Sequence, residues 1–68
     1  MKIKLNNEEL ILQESNPALI PVLKKKNLYL DRGIAVAIND EILPKSNWED
    51  YLIQENDNIL IITATQGG

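Results

Sequence analysis

Close to its C-terminal end the chain carries an unbroken apolar run, Ile59-Leu60-Ile61-Ile62, that continues through Thr63, Ala64 and Thr65. β-Branched residues dominate it, so it reads as a strand over residues 59–65. A strand at a sheet surface alternates apolar and polar residues, and this one does not. A block of this kind suits a central strand with both faces covered. In a chain of 68 residues that is a severe constraint: one small domain must be arranged around its own last strand. Ile59, Ile61 and Thr63 project to one face and Leu60, Ile62 and Ala64 to the other. A single helix covers only one face. The second apolar set then lies on the open side, as a patch of the kind that marks protein interfaces, unless loops or the segment around Trp48 cover it.

The remaining elements fit that arrangement. Ile3 and Leu5 alternate with Lys2 and Lys4, the period of a half-buried strand. Asn6-Asn7 supplies a tight turn, and residues 9–13 form a second strand, giving a hairpin. Ser15-Asn16-Pro17 reads as a helix entry, with a helix over residues 18–26 that buries Leu19, Ile20, Val22 and Leu23. Pro21 is tolerable only near the first turn, so the regular helix starts later than Pro17. Lys24-Lys25-Lys26 reads as a solvated helix end favoured by the dipole. Tyr29 and Leu30 lie in a loop and pack over the core edge, and Gly33 serves a turn. Residues 34–38 form an interior third strand, Asn39-Asp40 a turn, and Ile42-Leu43 a short fourth strand stopped by Pro44. Ser46 and Glu49 have the spacing of a capping box, which predicts one helical turn. Trp48, Tyr51 and Leu52 pin that segment onto the sheet, and residues 55–58 form a polar turn. The first and last strands can run parallel, because a helix lies in the chain between them. The expected class is α+β: a mixed sheet of four to five strands, one main helix on one face, and a short helical turn before the last strand.

The composition removes most catalytic chemistry. The chain has no cysteine and no histidine, hence no thiol nucleophile, no disulfide and no imidazole base or ligand. The adjacent acids Glu8-Glu9, Asp40-Glu41 and Glu49-Asp50 diverge from one another and read as solvated surface. Arg32 has no glycine-rich phosphate loop beside it. A chain this small buries only about 60% of its unfolded surface, which leaves little room for an internal pocket. The net charge of −3 opposes nucleic acid and favours a partner with a basic surface. No run approaches the length of a membrane span, and no signal segment is evident, so the expected location is cytoplasmic.

What remains is the end of the chain, Gly67-Gly68, directly after the last strand. Residues 1–65 form the domain and residues 66–68 a flexible diglycine tail. A carboxylate at neutral pH is a poor electrophile. Condensed with a nucleotide α-phosphate it becomes an acyl-adenylate with a good leaving group. A tail without side chains can thread into the narrow channel of an activating enzyme, and glycine adopts backbone conformations closed to other residues. Gly68 would carry the reactive carboxylate and Gly67 would give it reach. Leu60, Ile62, Ala64, Thr65 and Gln66 are the candidate partner-binding residues. A frayed end without a role is the plain alternative.

The segments Gly33-Ile34-Ala35-Val36-Ala37-Ile38-Asn39, Ile42-Leu43-Pro44-Lys45, Trp48, Asp57-x-Ile59-Leu60 and Gly67-Gly68, in this order and spacing, resemble the sulfur carrier family of thiamine biosynthesis, ThiS. The resemblance runs the whole length and is strongest from Gly33 onward. It implies a ubiquitin-like β-grasp fold and a carrier, not an enzyme. It further implies that a ThiF-like adenylyltransferase, using ATP and magnesium, adenylates the Gly68 carboxylate. A persulfide derived from a cysteine desulfurase then replaces the adenylate to give a thiocarboxylate. A ThiG-like thiazole synthase would take up that sulfur. No cofactor is expected to stay bound, and no nucleic acid or membrane partner is expected. The chain departs from the family pattern at Asn56, where glycine is common, and in the helix entry with its Pro17 and Pro21. Three other readings share the β-grasp fold: the small subunit of molybdopterin synthase, a ubiquitin-like modifier joined to lysine amines, and an interaction module with an inert tail. The first of these families tends to carry a Phe-Pro-Pro-like segment before its glycines, where this chain has Ile62-Thr63-Ala64-Thr65-Gln66 and no phenylalanine.

Overall fold

A computed structural model describes residues 1–29 and 33–63. Five strands, a main helix and one short 3₁₀ turn follow in the order β1 (Lys2–Leu5), β2 (Glu8–Ile11), α1 (Leu19–Lys25), β3 (Ile34–Ile38), β4 (Glu41–Leu43), η1 (Lys45–Asn47) and β5 (Asn58–Thr63). The sheet order is β2-β1-β5-β3-β4, so the last strand occupies the middle. It runs parallel to β1, with Leu5 opposite Ile59, and antiparallel to β3, with Val36 opposite Ile61 and Ala35 opposite Ile62. This is the mixed sheet of a β-grasp, with five strands.

The core lies between the sheet and α1. Ile3, Leu5, Val36, Ile38 and Ile59 meet Leu19, Val22 and Leu23 of the helix, and Trp48 and Ile53 close the end of the cluster. Ile59, Leu19, Leu23, Val36 and Ile53 have no solvent exposure at all. The turns use asparagine and aspartate in the left-handed region, where these short polar side chains are tolerated. Asn6 and Asn7 (φ 52° and 69°) join β1 to β2, Asn39 and Asp40 (52° and 72°) join β3 to β4, and Asn56 (68°) precedes β5. Asn56 thus holds a left-handed conformation that glycine adopts most readily. Gly33, with φ 82° and open space where a Cβ would sit, is required for its backbone conformation and not for close packing.

Several boundaries differ from the sequence reading. The β2 strand ends at Ile11 and not at residue 13. The helix begins at Leu19 with Ala18 in the cap position, and no side chain caps it. Pro21 therefore falls in the first turn, where the missing N–H costs nothing. Asn16 does not cap. It bends the chain (φ 49°), and its Nδ2 donates to the Ile53 carbonyl at 3.0 Å. The expected capping box is also not made: the short turn starts at Lys45, after Pro44, and the Ser46 hydroxyl is directed at Asn47 Oδ1. Trp48 is buried and its indole N–H donates to the Leu43 carbonyl at 2.8 Å. Tyr29 packs edge-on against it. Leu52, expected to pin this segment, is 52% exposed. The fully buried Ile53 does so instead. The Ala18–Leu52 bridge explains the swap, because a locally extended segment alternates its side chains and can bury only one of two neighbours. Leu30 and Arg32 lie outside the described residues.

Candidate functional site

Among the described residues nothing forms a second layer on the face of the sheet away from α1. The strand register places Ala35 beside Ile62, and Ala37 between Leu60 and Ile42, across the three strands β5, β3 and β4. Side chains paired in this way share one face. Ile62 is 50% and Ile42 63% exposed, while Leu60 and Ala35 are half-buried. At β4 this face passes into a shallow concavity of about 330 Å³ lined by Ala35, Ile42, Leu43, Pro44 and Trp48. Toward β1 it becomes charged, with Lys2 bridged to Glu9 at 3.5 Å. The two candidate partner-binding residues on β5, Leu60 and Ile62, therefore lie on the open face. Ala64, Thr65, Gln66, Gly67 and Gly68 lie outside the described residues. Ala35, Ala37 and Ile42 were not singled out from the sequence. The alternation of alanine with Ile34, Val36 and Ile38 was the signal, since it separates a thin face from a thick one.

The position of β5 is fixed at its start by a buried carboxylate. Asp57 is 4% exposed. It accepts from Asn39 Nδ2 at 2.9 Å, from the Tyr51 hydroxyl at 2.5 Å and from the Gln54 N–H at 2.8 Å. No cation is among these donors, so the charge is balanced by hydrogen-bond dipoles alone. Asn39 completes the knot: its Oδ1 accepts from the Asn58 N–H at 2.9 Å, and its own N–H donates to the Asn58 carbonyl at 2.8 Å. Burial pushes the Tyr51 hydroxyl well above the usual phenol range, helped by its hydrogen bond to Asp57 and by the carboxylate charge. Further along β5, beyond the last pairing with β1, Asn6 Oδ1 accepts from the Ile61 N–H at 2.8 Å. The sequence reading treated Asp57 as part of a polar turn and missed this role. Its only signal was a place in a motif, because an aspartate among Glu55, Asn56 and Asn58 looks solvated.

Among the described residues no three carboxylate or other ligating side chains converge on a metal position. No helix among them is long and apolar enough to cross a membrane. What the geometry offers is a rigid central strand and an apolar face beside it.

The ThiS family matches residues 3–68, nearly the whole chain. The chain belongs to the ThiS family. Membership places it among small sulfur-carrier proteins of the β-grasp type, not among catalysts. The sulfur carrier protein ThiS of Escherichia coli (strain K12) is 39% identical over 36 residues, which is 53% of this chain. The match spans about half the length of that relative, 54%. The crystal structure of the thiamine biosynthesis protein ThiS from Geobacter metallireducens superposes with a TM-score of 0.82 over all of both chains. Its identity is 14%, so it speaks for the fold alone.

Proposed function

We propose that this chain carries sulfur as a C-terminal thiocarboxylate for thiazole formation in thiamine biosynthesis. The observation that supports this most directly is the extent of the family match, which runs through Gly68 and so takes in the diglycine tail. The carboxylate of Gly68 attacks the α-phosphate of ATP, held with magnesium by an adenylyltransferase, and pyrophosphate leaves. A persulfide sulfur then displaces AMP at the carbonyl carbon. Reductive cleavage of the resulting acyl disulfide by a thiol releases the thiocarboxylate. The thiocarboxylate is anionic at neutral pH and needs no base to act as a nucleophile, which suits a chain without histidine. Thiazole synthase takes the sulfur, and the carboxylate returns.

The domain has two tasks in this cycle. It presents the tail from the end of β5, a strand that pairs with β1 at its start and with β3 out to Thr63. It also offers Leu60, Ile62, Ala35 and Ile42, around the buried Ala37, as the surface on which an activating enzyme and a sulfur acceptor dock in turn. One surface used for both partners makes loading and delivery mutually exclusive.

Intact mass spectrometry tests the chemistry. Incubation with ATP, magnesium, a ThiF-type adenylyltransferase and a persulfide donor should add the mass difference between sulfur and oxygen. Deletion of Gly68 should abolish that gain and leave the melting temperature unchanged. A deletion variant that still gains the mass would remove the terminus from the mechanism. Loading by a molybdopterin-pathway activating enzyme alone would transfer the proposal to that pathway.

A further inference from the structure

The hairpin turn between β1 and β2 also holds β5. In a parallel ladder a residue donates its N–H to the residue before its opposite number and accepts from the residue after it. Lys4, opposite Asn58, donates to the Asp57 carbonyl at 2.9 Å. Two residues on, Asn6 donates its N–H to the Ile59 carbonyl, also at 2.9 Å, and so stands opposite Leu60. Were the ladder to continue, the Asn6 carbonyl would receive the Ile61 N–H. With φ at 52° Asn6 has turned into the hairpin instead, and its side chain supplies that oxygen. Asn6 Oδ1 accepts from the Ile61 N–H at 2.8 Å. The side-chain amide thus stands in for a backbone carbonyl and carries the β1–β5 ladder one step past its last strand pair, Leu5–Ile59.

The turn by itself does not require this oxygen. A two-residue hairpin turn with positive φ at both positions is served by glycine as well as by asparagine. Asn6 and Asn7 (φ 52° and 69°) would meet that need through their backbones alone. The bond to Ile61 does require the oxygen, and its place gives it a use. Ile61 lies between Leu60 and Ile62, the docking side chains of β5. Beyond Ile59 the strand pairs with β3 as far as Thr63, and with no further residue of β1. We propose that Asn6 is a positioning residue for sulfur loading: it holds the outer half of β5 on its β1 side, so that the docking side chains and the strand end that leads into the tail meet the activating enzyme already ordered. This rests on the sulfur-carrier reading and adds to it a residue that acts through Ile61. Without the bond, only pairing with β3 holds that half of the strand, and the order is imposed at docking. The apparent affinity then falls with the fraction of chains already in the competent form, while the chemistry inside the docked complex is unchanged.

The test compares Asn6→Gly with Asn6→Asp in the full chain. Glycine keeps the turn and loses the oxygen, whereas aspartate tolerates the same φ and keeps an acceptor. Pyrophosphate exchange with a ThiF-type adenylyltransferase, ATP and magnesium, at varied carrier concentration, gives KM and kcat. The glycine variant should raise KM about fivefold, the factor that one hydrogen bond carries, with kcat within about twofold of the parent. The aspartate variant should keep the parent's KM, since a charged acceptor bonds the Ile61 N–H at least as well. Hydrogen exchange should quicken at the Ile61 amide in the glycine variant alone, with the core amides of Leu23 and Val36 unchanged. A glycine variant with the parent's KM, an aspartate variant as impaired as the glycine one, or a loss in kcat in place of KM would each overturn the role of Asn6 and leave the carrier reading standing. A parent chain that supports no pyrophosphate exchange would overturn the carrier reading, and this proposal with it.

Discussion

Two neighbours on one strand, Ile59 and Ile62, are the same residue with opposite circumstances. Ile59 has no exposure and sits against α1 and the Trp48 segment, whereas half of Ile62 meets solvent. Hydrophobicity is equal in the two, so the difference comes from the second layer. One helix of seven residues covers one side of the sheet, and nothing among the described residues packs on the other. A domain this size has too little chain to cover both. The apolar residues left over are the ones the proposed function assigns to docking.

Substitutions can break or sharpen that contrast. Ile59→Ala should have the largest effect, destabilising the fold by about 2–5 kcal/mol through lost burial and a cavity. Urea unfolding measures it, and a loss under about 1 kcal/mol would mean that Ile59 is not the core's fixed point. Asp57→Ala comes next. It strands the Asn39, Tyr51 and Gln54 donors and should cost about 3 kcal/mol. Hydrogen exchange should show the β3–β4 turn and the start of β5 opening together. If only one of them loosens, Asp57 does not couple the two.

Tyr51→Phe should cost about 2 kcal/mol near neutral pH, by removing one hydrogen bond to a charged group. It also tests a pH dependence. The folded state holds the Tyr51 proton more tightly than the unfolded chain does. The stabilisation linked to this proton is therefore fully present below the unfolded tyrosine pKa of about 10 and is lost as pH rises through the folded value. The parent should lose stability above that pH more steeply than the phenylalanine variant. Parallel alkaline unfolding curves would assign the loss to other groups. Ile62→Lys should have the smallest effect on stability, under about 1 kcal/mol at an exposed strand position. Sulfur loading should nevertheless fall sharply. Normal loading by this variant would remove the open face from the docking surface.

The apolar block at the end of the sequence was enough to put β5 in the centre, and the parallel pairing with β1 followed from the intervening helix. That one of its two apolar sets faces outward was legible for the same reason, but the block itself did not choose Leu60 and Ile62 over Ile59 and Ile61. The helix entry was not legible, because Ser15 and Asn16 carry capping chemistry that Asn16 spends on the Ile53 carbonyl, 37 residues away. The Ser46–Glu49 spacing misled in the same way: a local motif was outweighed by the turn that Pro44 begins. Ile53 and Leu52 are equivalent in composition, and only the extended pairing with Ala18 decides which is buried. Asp57 could not be read as buried, since its three donors come from positions 39, 51 and 54 and meet only in the folded chain.

The central place of β5 also bears on how the protein is made. The strand in the middle of the sheet is the last of the five in chain order. Until it arrives, β1–β2 and β3–β4 are two separate hairpins with no pairing between them. Long-range pairings of this kind close slowly, because loop entropy is lost before contacts compensate it. A chain cut short before β5 therefore has two unjoined hairpins, while one cut after Thr63 keeps every strand pairing described.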